Sequence, residues 1–200
     1  MHPSHVAALV AMLCAGCQSS FVVDSEPAPT PNHPCSAEAL AEPRMSTTYY
    51  IAINQPGANN DSCDGLAPSD EGGGHCPFKD LDSERTRALL SGTRDVRVEL
   101  REGTYIIDGW EGLSVAGAGN SEAERLVLSA YPGENVVLDV PAPDGAGCTE
   151  ETAPSDPRCV RQVVRVSGQY TLVQGITVQN GLGYTFEVNG GAHHVVQCNL

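Results

Sequence analysis

Residues 60–71 carry the most suggestive ligand pattern in the chain. Counting from Asn60, Asp64 falls at position five, Gly65 at six and Glu71 at twelve, the spacing of an EF-hand calcium loop. Asn60 at position one and Ser62 at position three bring little charge, and Pro68 and Cys63 interrupt the run. The better reading is an acidic, disulfide-closed loop in which Asp61, Asp64, Asp70 and Glu71 leave a surface calcium ion open as the only cofactor. Trp110, with Tyr105 and Glu111, offers either a sugar-stacking platform or a packing residue. Gly117-Ala118-Gly119 imitates a dinucleotide fingerprint for three residues, then lacks the third glycine and the βαβ setting, so it reads as a turn. His193 and His194 are adjacent and would face opposite sides of a strand, so they do not make one site.

The cysteines bear on compartment. Residues 1–17 contain no Lys, Arg, Asp or Glu, and residues 6–16 are small and apolar, too short to span a bilayer and suited to a signal-peptide core. The run ends Ala15-Gly16-Cys17, which resembles a bacterial lipoprotein cleavage box with Cys17 as the lipidated first residue. A plain secretory signal cut nearby is the alternative. Residues 18–43 are rich in Pro, Ala and acid and read as an extended tether. Past Cys17, Cys63 and Cys76 bracket a Gly-rich loop, and Cys148 and Cys159 bracket a Pro- and acid-rich one. Each pair is expected to close its loop as a disulfide worth ~3 kcal/mol through the unfolded ensemble. Cys35 and Cys198 are left over, their partners unassigned and a partner beyond the visible chain open to either. No Cys-x-x-Cys pair follows Cys17, which argues against a zinc site.

The chain has 200 residues, 25 acidic against 11 basic, for a formal charge of −14. That balance argues against nucleic-acid binding. An apolar content of 40% is enough for a packed core and argues against wholesale disorder.

The elements follow from periodicity. Residues 82–92 read as one short helix, capped by Asp82 or Ser83 and ended by Gly92 in the left-handed conformation. Around it lie short strands at 49–53, 96–100, 104–107, 126–130, 136–138, 163–166, 170–173, 176–178, 185–188 and 194–198, separated by Gly, Asn and Pro turns. Val164-Arg165-Val166 matches Phe186-Glu187-Val188 at an offset of 22, and Leu172-Val173-Gln174 matches Val195-Val196-Gln197 at 23. A near-constant offset between short strands is the mark of a solenoid rung. Such a coil needs its open end covered, and the helix, through Ala88, Leu89 and Leu90, would do so. The last residues look like a half-built rung, so the chain is expected to stop before its domain does.

The order Tyr49-Tyr50-Ile51, Cys76-Pro77-Phe78-Lys79-Asp80-Leu81, Val96-Arg97-Val98, Glu102-Gly103-Thr104-Tyr105, Tyr131-Pro132-Gly133-Glu134, then residues 170–181, resembles the amino-terminal portion of the pectate-lyase-like superfamily. The resemblance covers residues 49–200 and implies an all-β, right-handed parallel β-helix over 44–200. It further implies work on a polysaccharide, as binding, or as cleavage by a Lys or Arg base with calcium on the uronate. Lys79, the one lysine, reads as a solvated cap residue, and Arg165 points outward from its strand as a possible glycan contact, with Arg161 flanking it. No catalytic residue is assigned, because the family's catalytic rungs would fall past Leu200. The alternative is a non-catalytic surface scaffold. Expected partners are a polysaccharide and, through Cys17, the outer membrane or cell surface, with a periplasmic or extracellular location as the alternative. No oligomeric state is implied.

Overall fold

The computed structural model describes residues 35–41, 43–92, 95–109, 111–141, 159–181 and 183–200. The expected signal segment, Cys17, Trp110 and Cys148 lie outside them.

Among the described residues, eleven short strands stack in parallel as three sheets. Sheet A has the order β1 (Thr47–Ile51), β2 (Val96–Leu100), β5 (Leu126–Ala130), β8 (Thr171–Gln174), β11 (Val195–Gln197). Sheet B holds β3 (Gly103–Ile106), β6 (Val136–Asp139) and β9 (Thr177–Gln179). Sheet C holds β4 (Leu113–Val115), β7 (Gln162–Val166) and β10 (Tyr184–Val188). The chain visits A, B and C in turn and returns one strand further along, a right-handed parallel β-helix, the hand that parallel crossovers take.

Both internal matches in the sequence are registered pairs: Phe186 sits on Val164 and Val188 on Val166, while Val195 sits on Leu172 and Gln197 on Gln174. Inward residues form columns such as Tyr49–Val98–Leu128–Val173–Val196. The core is therefore a stack of like on like, and Val98, Leu128 and Val173 in it are fully buried. Strand β4 was not foreseen, since three residues set among glycines carry almost no period. Close approach of successive turns forces small residues at one corner. A Cβ on Gly168 would stand 1.7 Å from the Gly117 carbonyl oxygen, and one on Gly191 equally near that of Gly168.

Two devices close the amino-terminal end. Helix α2 (Glu84–Gly92) is capped by Ser83, whose hydroxyl accepts the Thr86 amide at 3.2 Å. It stands where a zeroth rung of sheets B and C would lie, and its Leu90 carbonyl accepts the amides of Ala116 and Gly117 just past β4. Thr86 and Leu90, one turn apart, are its buried residues, whereas Ala88 is exposed. The helical i, i+4 stripe decides this, so the expected contribution of Ala88 is corrected. Gly92 is the last helical residue and is not left-handed; among the described residues nearby that conformation falls to Asp95.

The second device is the disulfide loop. Its Gly65 carbonyl accepts the Tyr50 amide at 2.7 Å, and Phe78 exchanges bonds with Tyr50 and Ala52, so the outer edge of β1 is paired. Gly65 is left-handed, and a Cβ there would meet the Phe78 ring at 2.3 Å.

The largest departure concerns residues 35–43, expected as part of the tether. A short helix, α1 (Ala37–Ala41), follows Ser36, whose hydroxyl accepts the Ala39 amide. Leu40 is 1% exposed, and its carbonyl accepts bonds from Arg97 of β2 and, at 2.8 Å, from Gln174 of β8. Pro43 takes a second Arg97 nitrogen at 3.1 Å. Cys35 is bonded to Cys198, with Cα atoms 5.4 Å apart. Both leftover cysteines thus pair with each other, and Cys35 and the α1 residues pack on the coil. These residues form a strap across the outer face of sheet A. Under it, Arg97 and Glu99, which alternation would place in water, are 3% and 7% exposed, and Val127, Ser129 and Leu172 are buried.

At the other end β9, β10 and β11 are outermost, with Tyr184, Val188 and Leu200 exposed. Among the described residues, no helix is long and apolar enough to cross a membrane.

Burial pushes the Glu99 carboxyl above its ordinary 4.5, against the pull of Arg97, whose Nε donates to it at 2.5 Å. The folded chain therefore holds that proton more tightly than the unfolded chain. The stability it contributes is complete below pH 4.5 and is lost as pH rises through the folded value. Urea unfolding from about pH 4 to pH 7 should show this decline, and Glu99→Gln should remove it. Arg97→Met, which strands Glu99, should cost about 3–5 kcal/mol. Leu40→Ala should cost about 2–5 kcal/mol, whereas exposed Ala39→Ser stays within about 0.5.

Candidate functional site

With the outer face of sheet A strapped over, sheet C offers a free outer face that bears charge. Its register sets Ser114, Arg165 and Glu187 in one row, a strand apart. Strands spaced ~4.8 Å apart make this row about 10 Å long. Arg165 points outward, as expected, and is 34% exposed. It is not a free cation: its Nη1 donates to Glu111 Oε2 at 2.6 Å, and Gln162 donates to the same oxygen at 3.1 Å. Glu111 thus fixes the guanidinium from the turn before β4. The Nε of Arg165 is buried and has no partner among the described residues.

Beside this row lies a cleft of about 410 Å³ between α2 and residues 107–114. Asp82, Asp108 and Glu111 line it, with Arg87 held by Asp82 at 2.9 Å. Trp110, the other expected glycan contact, lies outside the described residues, though its neighbours Gly109 and Glu111 line this cleft. The row and the cleft can offer hydrogen bonds and charge to a polar ligand. A guanidinium stays protonated and is no proton acceptor here. Lys79 is exposed, as expected, and Arg161 is exposed, with its carbonyl accepting the Gly183 and Tyr184 amides.

The acidic loop is organised differently from a calcium cage. Cys63 and Cys76 are bonded as expected, Cα atoms 5.0 Å apart. Asn60 is spent on the chain itself: its side-chain oxygen accepts the Lys79 and Asp80 amides, and its nitrogen donates to Asp80. Asp64 accepts the Leu66 amide at 2.9 Å and meets His75 Nδ1 at 2.7 Å, while Glu71 lies 3.9 Å from His75 Nε2. These carboxylates gather round a histidine. Among the described residues no three His, Cys, Asp or Glu side chains are placed to hold a metal ion, so Asp61, Asp64 and Glu71 are not brought together as ligands. Cys159 is disulfide-bonded, but Cys148 lies outside the described residues.

The two histidines sit at a corner. His193 is left-handed and stacks on Tyr170, ring centroids 4.3 Å apart and 4° from parallel. His194 bonds the Gly190 carbonyl at 2.9 Å, and β11 begins only at Val195, one residue later than expected.

No family model matches the chain, and no curated protein does. Among solved structures it is similar to the crystal structure of pectate lyase Pel9A, with a TM-score of 0.45 and 19% identity over 78% of this chain. The match covers 34% of that structure's chain.

The hydrogen bond to Asp64 holds the His75 imidazolium above its ordinary 6.5, and the Leu66 amide and His75 together hold the Asp64 carboxyl below its own ordinary value. An NMR titration should place the His75 midpoint above 6.5, and Asp64→Asn should return it toward that figure.

Proposed function

We propose that this chain is an exported, carbohydrate-binding β-helix, holding an extended glycan along the outer face of sheet C. The observation that supports the reading is the row Ser114–Arg165–Glu187, with Arg165 pre-set by Glu111 beside an open cleft. A row of polar side chains repeated strand by strand suits a polymer of repeated units. A fixed guanidinium costs little ordering when it meets hydroxyl or carboxylate oxygens. The charge of −14 favours neutral glycans over polyuronates unless calcium bridges the two.

Cleavage is a finer version of this reading and has no base among Lys79, Arg161 and Arg165, so binding is the role assigned to this region. The second reading, a non-catalytic scaffold, draws support from the strap, which gives the outer face of sheet A to internal packing. The disulfides Cys35–Cys198 and Cys63–Cys76 suit an oxidising compartment. Together with the cleavage box at Cys17, they support export with a lipid anchor at the outer membrane or cell surface.

Glycan-array and affinity-electrophoresis measurements on the full chain, with neutral and acidic polysaccharides, test the binding role. Retention should fall about tenfold in Arg165→Ala, a loss of ~1.4 kcal/mol. A chain that retains no glycan with or without calcium, or that binds equally well without Arg165, supports the scaffold instead.

A further inference from the structure

A second concavity lies on the other side of the molecule, where the strap leaves sheet A. It measures about 280 Å³ and is walled by Met45 and Arg44 of the strap's outgoing chain, Tyr50 of β1, Tyr131 after β5, and the Arg97–Glu99 pair. We propose that it binds a single neutral pyranose unit.

Three observations carry the assignment. The first is the aromatic pair. Tyr50 and Tyr131 stand with ring centroids 6.2 Å apart and tilted by 52°, so they form two walls of a corner and do not stack on each other. Tyr131 is fixed from one side, because the Arg101 guanidinium lies 4.4 Å from its ring centroid. Arg101 is itself held by Glu134 at 2.6 Å. A ring so held presents an apolar plate at little entropic cost, as the C–H face of a sugar requires.

The second observation is the carboxylate at the floor. Glu99 Oε1 is taken by Arg97, but its Oε2 has no hydrogen-bond donor among the described residues. The rest of that pair is closed: the other Arg97 nitrogens go to Leu40 and Pro43. One acceptor oxygen is thus left over at the foot of the concavity, and sugar hydroxyls donate to such an oxygen. Arg44 is exposed at the rim.

The third is size. At about 280 Å³ the space falls just under the range of pockets for drug-sized ligands, so it suits one ring and not a polymer. The site stands on sheet A and uses none of the sheet C residues, so it does not rest on the proposed extended-glycan face.

Saturation-transfer NMR and calorimetry on the full chain decide it, with methyl α-glycosides of galactose, glucose and mannose as probes. At least one should bind saturably in the millimolar range. Tyr131→Leu, which keeps apolar bulk in the turn, and Tyr50→Leu should each weaken that binding about tenfold. Arg165→Ala should leave it unchanged. Thermal midpoints of the variants show whether each is folded. Absence of saturable binding by all three glycosides overturns the proposal, as does binding that survives both tyrosine substitutions in folded protein.

Discussion

One carbonyl oxygen, that of Leu40, is where the packing of the amino-terminal half is decided. It receives Arg97 from β2 and Gln174 from β8, so it ties two strands separated by β5. Its position depends on Leu40 being buried and on Cys35 being anchored at Cys198. Given that strap, a guanidinium and a carboxylate lie under cover on the outside of a sheet, and Ser129 is sealed in with no partner among the described residues. Without it these groups would stand in water on an ordinary polar face. Burying them is costly, and the cost is offset by pairing, by two backbone carbonyls and by the apolar contact of Leu40.

The three sheets have taken different roles as a result. Sheet A buries both faces, as its fully buried β2 and β5 record. Sheet C keeps a water-facing row and a cleft, the place where a long ligand has room. The end of the strap, at the margin of sheet A, creates a small concavity from residues that would otherwise lie on a flat surface. Self-coverage of one face and ligand access at another are thus two sides of one arrangement.

Most of the coil was legible in the sequence because its signal is local. Residues 96–100 and 126–130 coincide with β2 and β5, and the repeat offsets of 22 and 23 fall on observed pairs. The strap was not, because its signals are long-range. Alternation along Val96-Arg97-Val98-Glu99-Leu100 says that polar residues face outward, which is true, but it does not say what lies outside them. Two hints were present. Leu126-Val127-Leu128 and Leu172-Val173 are unbroken apolar runs, as in strands covered on both faces. Ser36 followed by Ala37-Glu38-Ala39-Leu40-Ala41 is a cap before helix formers. The candidate site was half legible. Arg165 facing outward follows from a period of two, but its partner Glu111 is 54 residues away and no spacing rule reaches it. In the acidic loop, the reading as a disulfide-closed turn rather than a cage followed from the sequence, but the placing of Asp64 and Glu71 beside His75 did not, because backbone turns spend side-chain oxygens on nearby amides in ways no spacing rule gives.

The bond between Cys35 and Cys198 joins positions 163 residues apart, and in the loop-entropy account it is worth about 5 kcal/mol. It also determines how the molecule carries a mechanical load. Tension that enters at Cys35 and leaves at Cys198 runs through two sulfur atoms and never through the rungs between them. A β-helix pulled from its ends is peeled strand by strand, each parallel ladder opening in turn. Here that peeling is short-circuited, and the coil hangs as a slack loop beside a covalent line of force.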